Sequence, residues 1–276
     1  MTLKTSICIL LYLVFCFAAH AQKLPNIQKN SVWAPPDVKI DGKTDEWDNK
    51  FQAYNHATEI YYTIANDDSR LYIIIQATDA VIIKKILYGN ITFTIGASAK
   101  DNKGPNLAVT FPSLSKEEQS NIIKNKNQVV INSKSTAINR SNDSLITILN
   151  AQITDKSSIK LTGMPTLPDS SISINKNSDI KAMALFGKGY AYTYELAIPF
   201  KYLETAIIKD GKFKYNIKLN GLFYNTNTTV QLSSDAQYSI RSTPGYASVE
   251  MKNTPETLVL DYPTDFWGEY VLTKKK

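Results

Sequence analysis

Cysteine and histidine are close to absent. The 276 residues hold two of each, and Cys8, Cys16 and His20 all fall within the first 21 positions. In that stretch Lys4 gives a positive start, Ile7 to Phe17 run apolar without a break, and Ala19-His20-Ala21 offers the small-x-small pattern of a signal-peptidase site. The run is shorter than the roughly 20 residues that span a bilayer. The expectation is an export signal over 1–21, cut before Gln22, rather than an anchor. A lipoprotein signal fits less well, because Phe15 stands before Cys16 where a small residue is wanted. The remaining 255 residues carry no cysteine, which excludes disulfides, thiolate zinc sites and a cysteine nucleophile. Only one histidine, His56, is left. No second apolar segment is long enough to span, so no stable membrane anchor is expected once the signal is cut. The protein is expected in the periplasm or outside the cell.

A basic stripe is missing too. Losing Lys4 takes the net charge from +6 to +5, and the lysines are scattered apart from Lys274-Lys275-Lys276. Without basic residues interleaved with aromatics, nucleic acid is not an expected partner. Helical periodicity is scarce. Alternation is everywhere: Phe213, Tyr215, Ile217 and Leu219 against Lys214, Asn216, Lys218 and Asn220, and Tyr190, Tyr192, Tyr194, Leu196 and Ile198 against Ala191, Thr193, Glu195 and Ala197. Both read as half-buried strands. Glu59–Ala65 and Arg70–Thr78 read as a hairpin closed by Asn66-Asp67-Asp68-Ser69. The second of these runs is apolar on both faces, so it belongs in the middle of a sheet with material packed on each side. Further strands are expected at Val38–Ile40, Ile91–Ile95, Leu107–Phe111, Gln128–Ile131, Ser144–Ile153, Ser158–Thr162, Ile180–Leu185, Thr257–Leu260 and Glu269–Leu272.

Helix is expected only in small pieces in loops. One opens at Ser115, whose spacing to Glu118 is that of a capping box, and one follows Pro199. The fold class is all-β, an antiparallel β-sandwich. Residues 22–36 read as a leader, 37–276 as one domain, and 162–178 as a long loop.

Four motifs in order carry a resemblance. They are Ile40-Asp41-Gly42-Lys43-Thr44-Asp45-Glu46-Trp47; Asn66-Asp67-Asp68-Ser69-Arg70-Leu71-Tyr72 ending at Asp79; Tyr192-Thr193-Tyr194-Glu195-Leu196-Ala197-Ile198-Pro199; and Phe266-Trp267-Gly268-Glu269-Tyr270. Together they resemble the family-nine carbohydrate-binding modules and their DOMON-like relatives with a jelly-roll sandwich. The resemblance implies non-catalytic glycan binding. The residues themselves are mostly structural: Asp41-Gly42 makes a turn, Trp47 reads as a core plug, Asp67 and Asp68 as turn formers, and Pro199 as a strand end. The chain departs from the family where Asn90 stands in place of an acid. Asp101 stands nearly alone, so calcium is unsupported and no cofactor is expected.

Sugar binding needs flat aromatic faces and polar groups for hydroxyls. Trp267 is the better platform of the tryptophans, with a core role as its alternative. Glu195, between small neighbours Thr193 and Ala197, reads as the floor of a shallow groove. If its strand neighbours the next long one, Glu195 shares a surface with Lys218 and Asn220; the plainer reading is a solvated cross-strand pair. Tyr224, Tyr238, Arg241 and Tyr246 lie in a loop suited to a glycan. Three other readings stand beside this one. An extracytoplasmic protein partner is the first. Haem is the second, with His56 and Met164, Met183 or Met251 as the available ligands. A glycoside hydrolase is the third, which needs two facing carboxylates when Asp45 and Glu46 sit in a turn and Glu195 lacks an evident partner.

Overall fold

The structure is a computed structural model that describes residues 23–96, 107–122, 138–164, 170–174, 178–204, 206–207, 210–221, 229–232, 238–241, 250–251 and 255–275. The signal segment 1–21, Asp101, the strand expected at Gln128–Ile131, Tyr224 and Tyr246 lie outside the described residues.

The fold is an antiparallel-rich β-sandwich. Sheet A holds β1 (Val32–Trp33), β2 (Ala53–Asn55), β3 (Ile60–Asn66), β4 (Arg70–Ala77), β9 (Lys181–Phe186) and β10 (Tyr192–Pro199), in the order β1-β3-β4-β10-β9 with β2 also on β3. Sheet B holds β5 (Ile91–Ile95), β6 (Leu107–Ser113), β7 (Ser158–Thr162), β8 (Ser170–Ser173), β11 (Lys212–Leu219) and β15 (Thr264–Val271), in the order β15-β11-β5-β6-β7-β8. A small third sheet joins β12 (Thr229–Leu232), β13 (Tyr238–Arg241) and β14 (Glu250–Met251).

Alternation decides what each strand buries. Tyr62, Ile64, Leu71, Ile73, Ile75, Tyr194 and Leu196 face Phe93, Val109, Phe111, Tyr215, Ile217 and Phe266 across the main core. The tyrosines also tie the sheets together by hydrogen bonds. Gln28 N–H donates to Tyr62 Oη at 2.9 Å, and Tyr62 Oη lies 3.1 Å from Tyr215 Oη. Sheet A is buried on its other face as well. There Ala65, Tyr72, Ile74 and Ala197 pack under Ala34 and Trp47, with Val38, Ile40 and Phe51 at the margin. The two-sided burial expected of the strand from Arg70 is met by this cover, and Trp47 is its plug.

The turn motifs fold as their chemistry dictates. Asp67 Oδ1 accepts from the N–H groups of Ser69 and Arg70, while Oδ2 accepts from Tyr72 Oη. Ser115 and Glu118 form the reciprocal capping box, each accepting the other's backbone N–H. Pro199 ends its strand and a 3-10 turn follows at Phe200–Tyr202.

Several elements differ from expectation. Ser144–Ile153 is no strand but part of helix α2 (Ile138–Lys156), after α1 (Ala80–Gly89) and before α3 (Pro255–Asp261), which replaces the strand expected at Thr257–Leu260. In α2 the β-branched residues suggested a strand, yet the packed positions Ile146, Leu149 and Ile153 are spaced three and four apart, as on a helix face. Val38–Ile40 has no ladder partner among the described residues and covers sheet A as an irregular segment. The loop expected at 162–178 contains β8. The leader at 22–36 is part of the fold: β1 pairs in parallel with β3.

Three side-chain amides also act as one-residue strands, each bonding both the N–H and the C=O of a backbone residue. Gln28 does so with Ile64 (2.7 and 2.8 Å), Asn66 with Thr273 (3.0 and 2.9 Å) and Asn150 with Phe186 (2.7 and 2.9 Å). Gln28 and Asn150 satisfy strand-edge groups that would otherwise be orphaned, and Asn66 holds the segment that follows β15.

Candidate functional site

β10 carries Glu195 on the outer face of sheet A, but as a clasp and not as a groove floor. The residue has 0% exposure. Its Oε2 accepts from the N–H groups of Asp41 and Gly42 at 2.9 and 2.8 Å, and its Oε1 lies 3.3 Å from Trp47 Nε1. Burial pushes the carboxyl up to about 7, against the pull of these three donors. The motif from Ile40 to Trp47 and the motif around Glu195 are therefore two halves of one contact. A carboxylate enclosed in this way cannot meet a sugar or serve as one of a hydrolase pair.

The surface proposed for Glu195, Lys218 and Asn220 does not form, because β10 and β11 belong to different sheets. Asn220 is fully buried at the end of β11, where its Nδ2 donates to Thr92 Oγ1 at 2.9 Å. Lys218 does share a face with Trp267. The β11–β15 register sets Asn216 opposite Trp267, Lys214 opposite Glu269, and Lys218 opposite Asp265. Residues paired across an antiparallel ladder point the same way. The outer face of sheet B thus presents an indole, 38% exposed, among ammonium, amide and carboxylate groups.

Beside the indole lies a shallow hollow of about 220 Å³ bordered by Lys214, Gly268 and Glu269. Glu269 is bonded to Lys212 at 2.7 Å, which holds its carboxyl below the usual range. Asn216 Nδ2 donates to Asp265 Oδ2 at 2.6 Å. Gly268 underlies the arrangement: a Cβ there would come within 2.3 Å of the Tyr215 ring, so only glycine lets that ring lie against the strand.

β13 puts Tyr238 opposite Leu232 and Arg241 opposite Thr229 in the small sheet. His56, the residue a haem would need, is exposed on the turn after β2, with Nδ1 3.3 Å from Asn26 Oδ1. Among the described residues no three His, Cys, Asp or Glu side chains gather at metal-binding distance, and no helix is long and apolar enough to cross a membrane.

A cleft of about 630 Å³ opens on the outer face of sheet A, between the turn at 42–49, Gln76 of β4, Thr193 of β10, the segment 185–191 and Asn150 of α2. Its one sequence signal is Gln76, an amide on the same face as Tyr72 and Ile74 in an otherwise apolar strand. Gln76 Nε2 donates to Thr193 Oγ1, its cross-strand partner, at 3.1 Å.

No family model, curated protein or solved structure matches this chain, so the likeness to the family-nine modules rests on its four motifs.

Proposed function

We propose that the chain is an exported, non-catalytic glycan-binding protein of the family-nine, DOMON-like kind, and that its platform is the outer face of sheet B around Trp267. The observation that carries this reading is the exposed indole on a strand face that is polar apart from Val271 at its end. An apolar sugar face can stack on the ring while Lys214, Lys218, Asp265 and Glu269 reach its hydroxyls. The function needs no cofactor and no perturbed acid.

Truncating a central aromatic anchor commonly costs more than about 1.4 kcal/mol, a factor of ten in affinity. The purified protein should therefore be retarded in native gels containing one or more soluble polysaccharides, and Trp267→Ala should weaken that retention at least tenfold. Equal retention of the variant, or no retention by any polysaccharide, would remove this reading.

A protein partner is the second reading. It is favoured by Leu258, Val259 and Tyr262 on and just after α3, which are 39%, 38% and 44% exposed. Silence across polysaccharides would shift the weight to it.

A further inference from the structure

We propose that the cleft on the outer face of sheet A is a second ligand site, for a neutral, hydroxyl-rich molecule of mono- to disaccharide size. Its volume of about 630 Å³ lies within the range of small-molecule sites. Two charged side chains line it, one of each sign, Lys43 and Asp45. An anion or a cation gains little there, whereas a neutral ligand meets both signs without cost.

The polar groups have bonding capacity to spare. Gln76 uses one N–H on Thr193 and keeps its carbonyl oxygen. Asn49 accepts from Thr44 Oγ1 at 2.5 Å and keeps its NH₂. An amide carbonyl on one wall and an amide NH₂ on the other suit neighbouring hydroxyls, which both donate and accept. Leu185, half-buried on this face, offers apolar surface for the C–H face of a ring.

The walls are set before any ligand arrives. The turn is clasped by Glu195, and Gly42 sits so close to Leu185 that a Cβ would come within 2.6 Å of its Cγ. On the far side Asn150 grips both backbone groups of Phe186. Groups fixed in place lose little entropy on binding. This site does not depend on the Trp267 platform and lies on the other sheet.

The test is an ¹H–¹⁵N NMR titration of the purified protein with cellobiose, maltose and chitobiose in turn. Saturable shifts are expected at Gly42, Asn49, Gln76 and Thr193 with at least one of the three. Gly187 lies on the rim, where a Cβ meets only the Ala191 carbonyl at 3.8 Å, so Gly187→Trp can fill the cleft without disturbing the fold. That variant should abolish the shifts. Gln76→Ala should weaken binding about tenfold, the usual effect of losing one well-placed hydrogen bond, and Trp267→Ala should leave it unchanged. The proposal is overturned if none of the disaccharides shifts these amides, if the shifts are confined to β15, or if they persist in folded Gly187→Trp.

Discussion

Glu195 joins two distant stretches of chain through three hydrogen bonds to one carboxylate, and its titration should be visible in stability. The unfolded chain releases this proton near 4.5, whereas in the folded protein burial holds it up to about 7. Between those values the native state retains a proton that the unfolded state has lost, so stability falls as pH rises through the window, by about 3 kcal/mol in all. Glu195→Gln cannot titrate. Measured by urea unfolding from pH 4.5 to 8, its stability relative to the native chain should climb with pH by up to that amount. A constant difference across the range would mean that the clasp does not carry the shift. Lys85 is a second buried charge, fully enclosed and bonded through Nζ to Thr264 Oγ1 at 2.9 Å, with burial alone pulling it down to about 8. In the sequence Glu195 reads as the floor of a groove and Lys85 does not stand out, since a charge among apolar neighbours reads equally well as a solvated side chain.

At the scale of elements, α2 shows how an amide can decide docking. Its Leu149 and Ile153 face the core, but Asn150 is the residue that bonds the edge of β9. Asn150→Ala would leave the N–H and C=O of Phe186 unpaired. The cost should be about 2 kcal/mol, the desolvation penalty of an unsatisfied pair less whatever water recovers, read as a lower urea midpoint. A change within about 0.5 kcal/mol, the usual range for surface positions, would show that the helix docks without it.

The strands were legible because alternation survives in single sequences: Phe213 to Leu219 bury the residues their period assigns, while Tyr192 to Ile198, expected half-buried, are buried on both faces because the turn at 42–49 covers the polar side. Of the helices, the short ones opening at Ser115 and after Pro199 were legible from their caps, whereas α1, α2 and α3 were not. In α2 isoleucine and threonine favour strand locally, and only the tertiary contact of Ile146, Leu149 and Ile153 reveals the period. In α1, Asp79 caps the helix by accepting from Val81 and Ile82, a signal present in the sequence but absorbed into the hairpin motif. The candidate sites followed the same rule. Trp267 and Lys218 could be placed on one face once their strands pair, whereas the cleft draws on four separate stretches of chain that no local pattern connects.

In the molecule as a whole, the two sheets set the two candidate surfaces on opposite sides, and the tyrosine hydroxyls at 62 and 215 cross the core between them. The beginning and the end of the described chain meet at one corner. Ser31 Oγ bonds the Val271 carbonyl, Val32 N–H donates to Tyr270 Oη, and Asn66 holds Thr273 at both its backbone groups. That corner closes a loop of 240 residues in sequence separation. Bringing such distant segments together costs about 5 kcal/mol of chain entropy before any contact repays it. Folding should therefore begin in the β3–β4 hairpin and its neighbours, with the corner forming last, and the order should reverse on opening. In native-state hydrogen exchange the amides of Val32 and Thr273 should be released well ahead of those in β4 and β10. Were they retained as long as the central strands, the first and last segments would have to form with the rest of the sandwich in a single step.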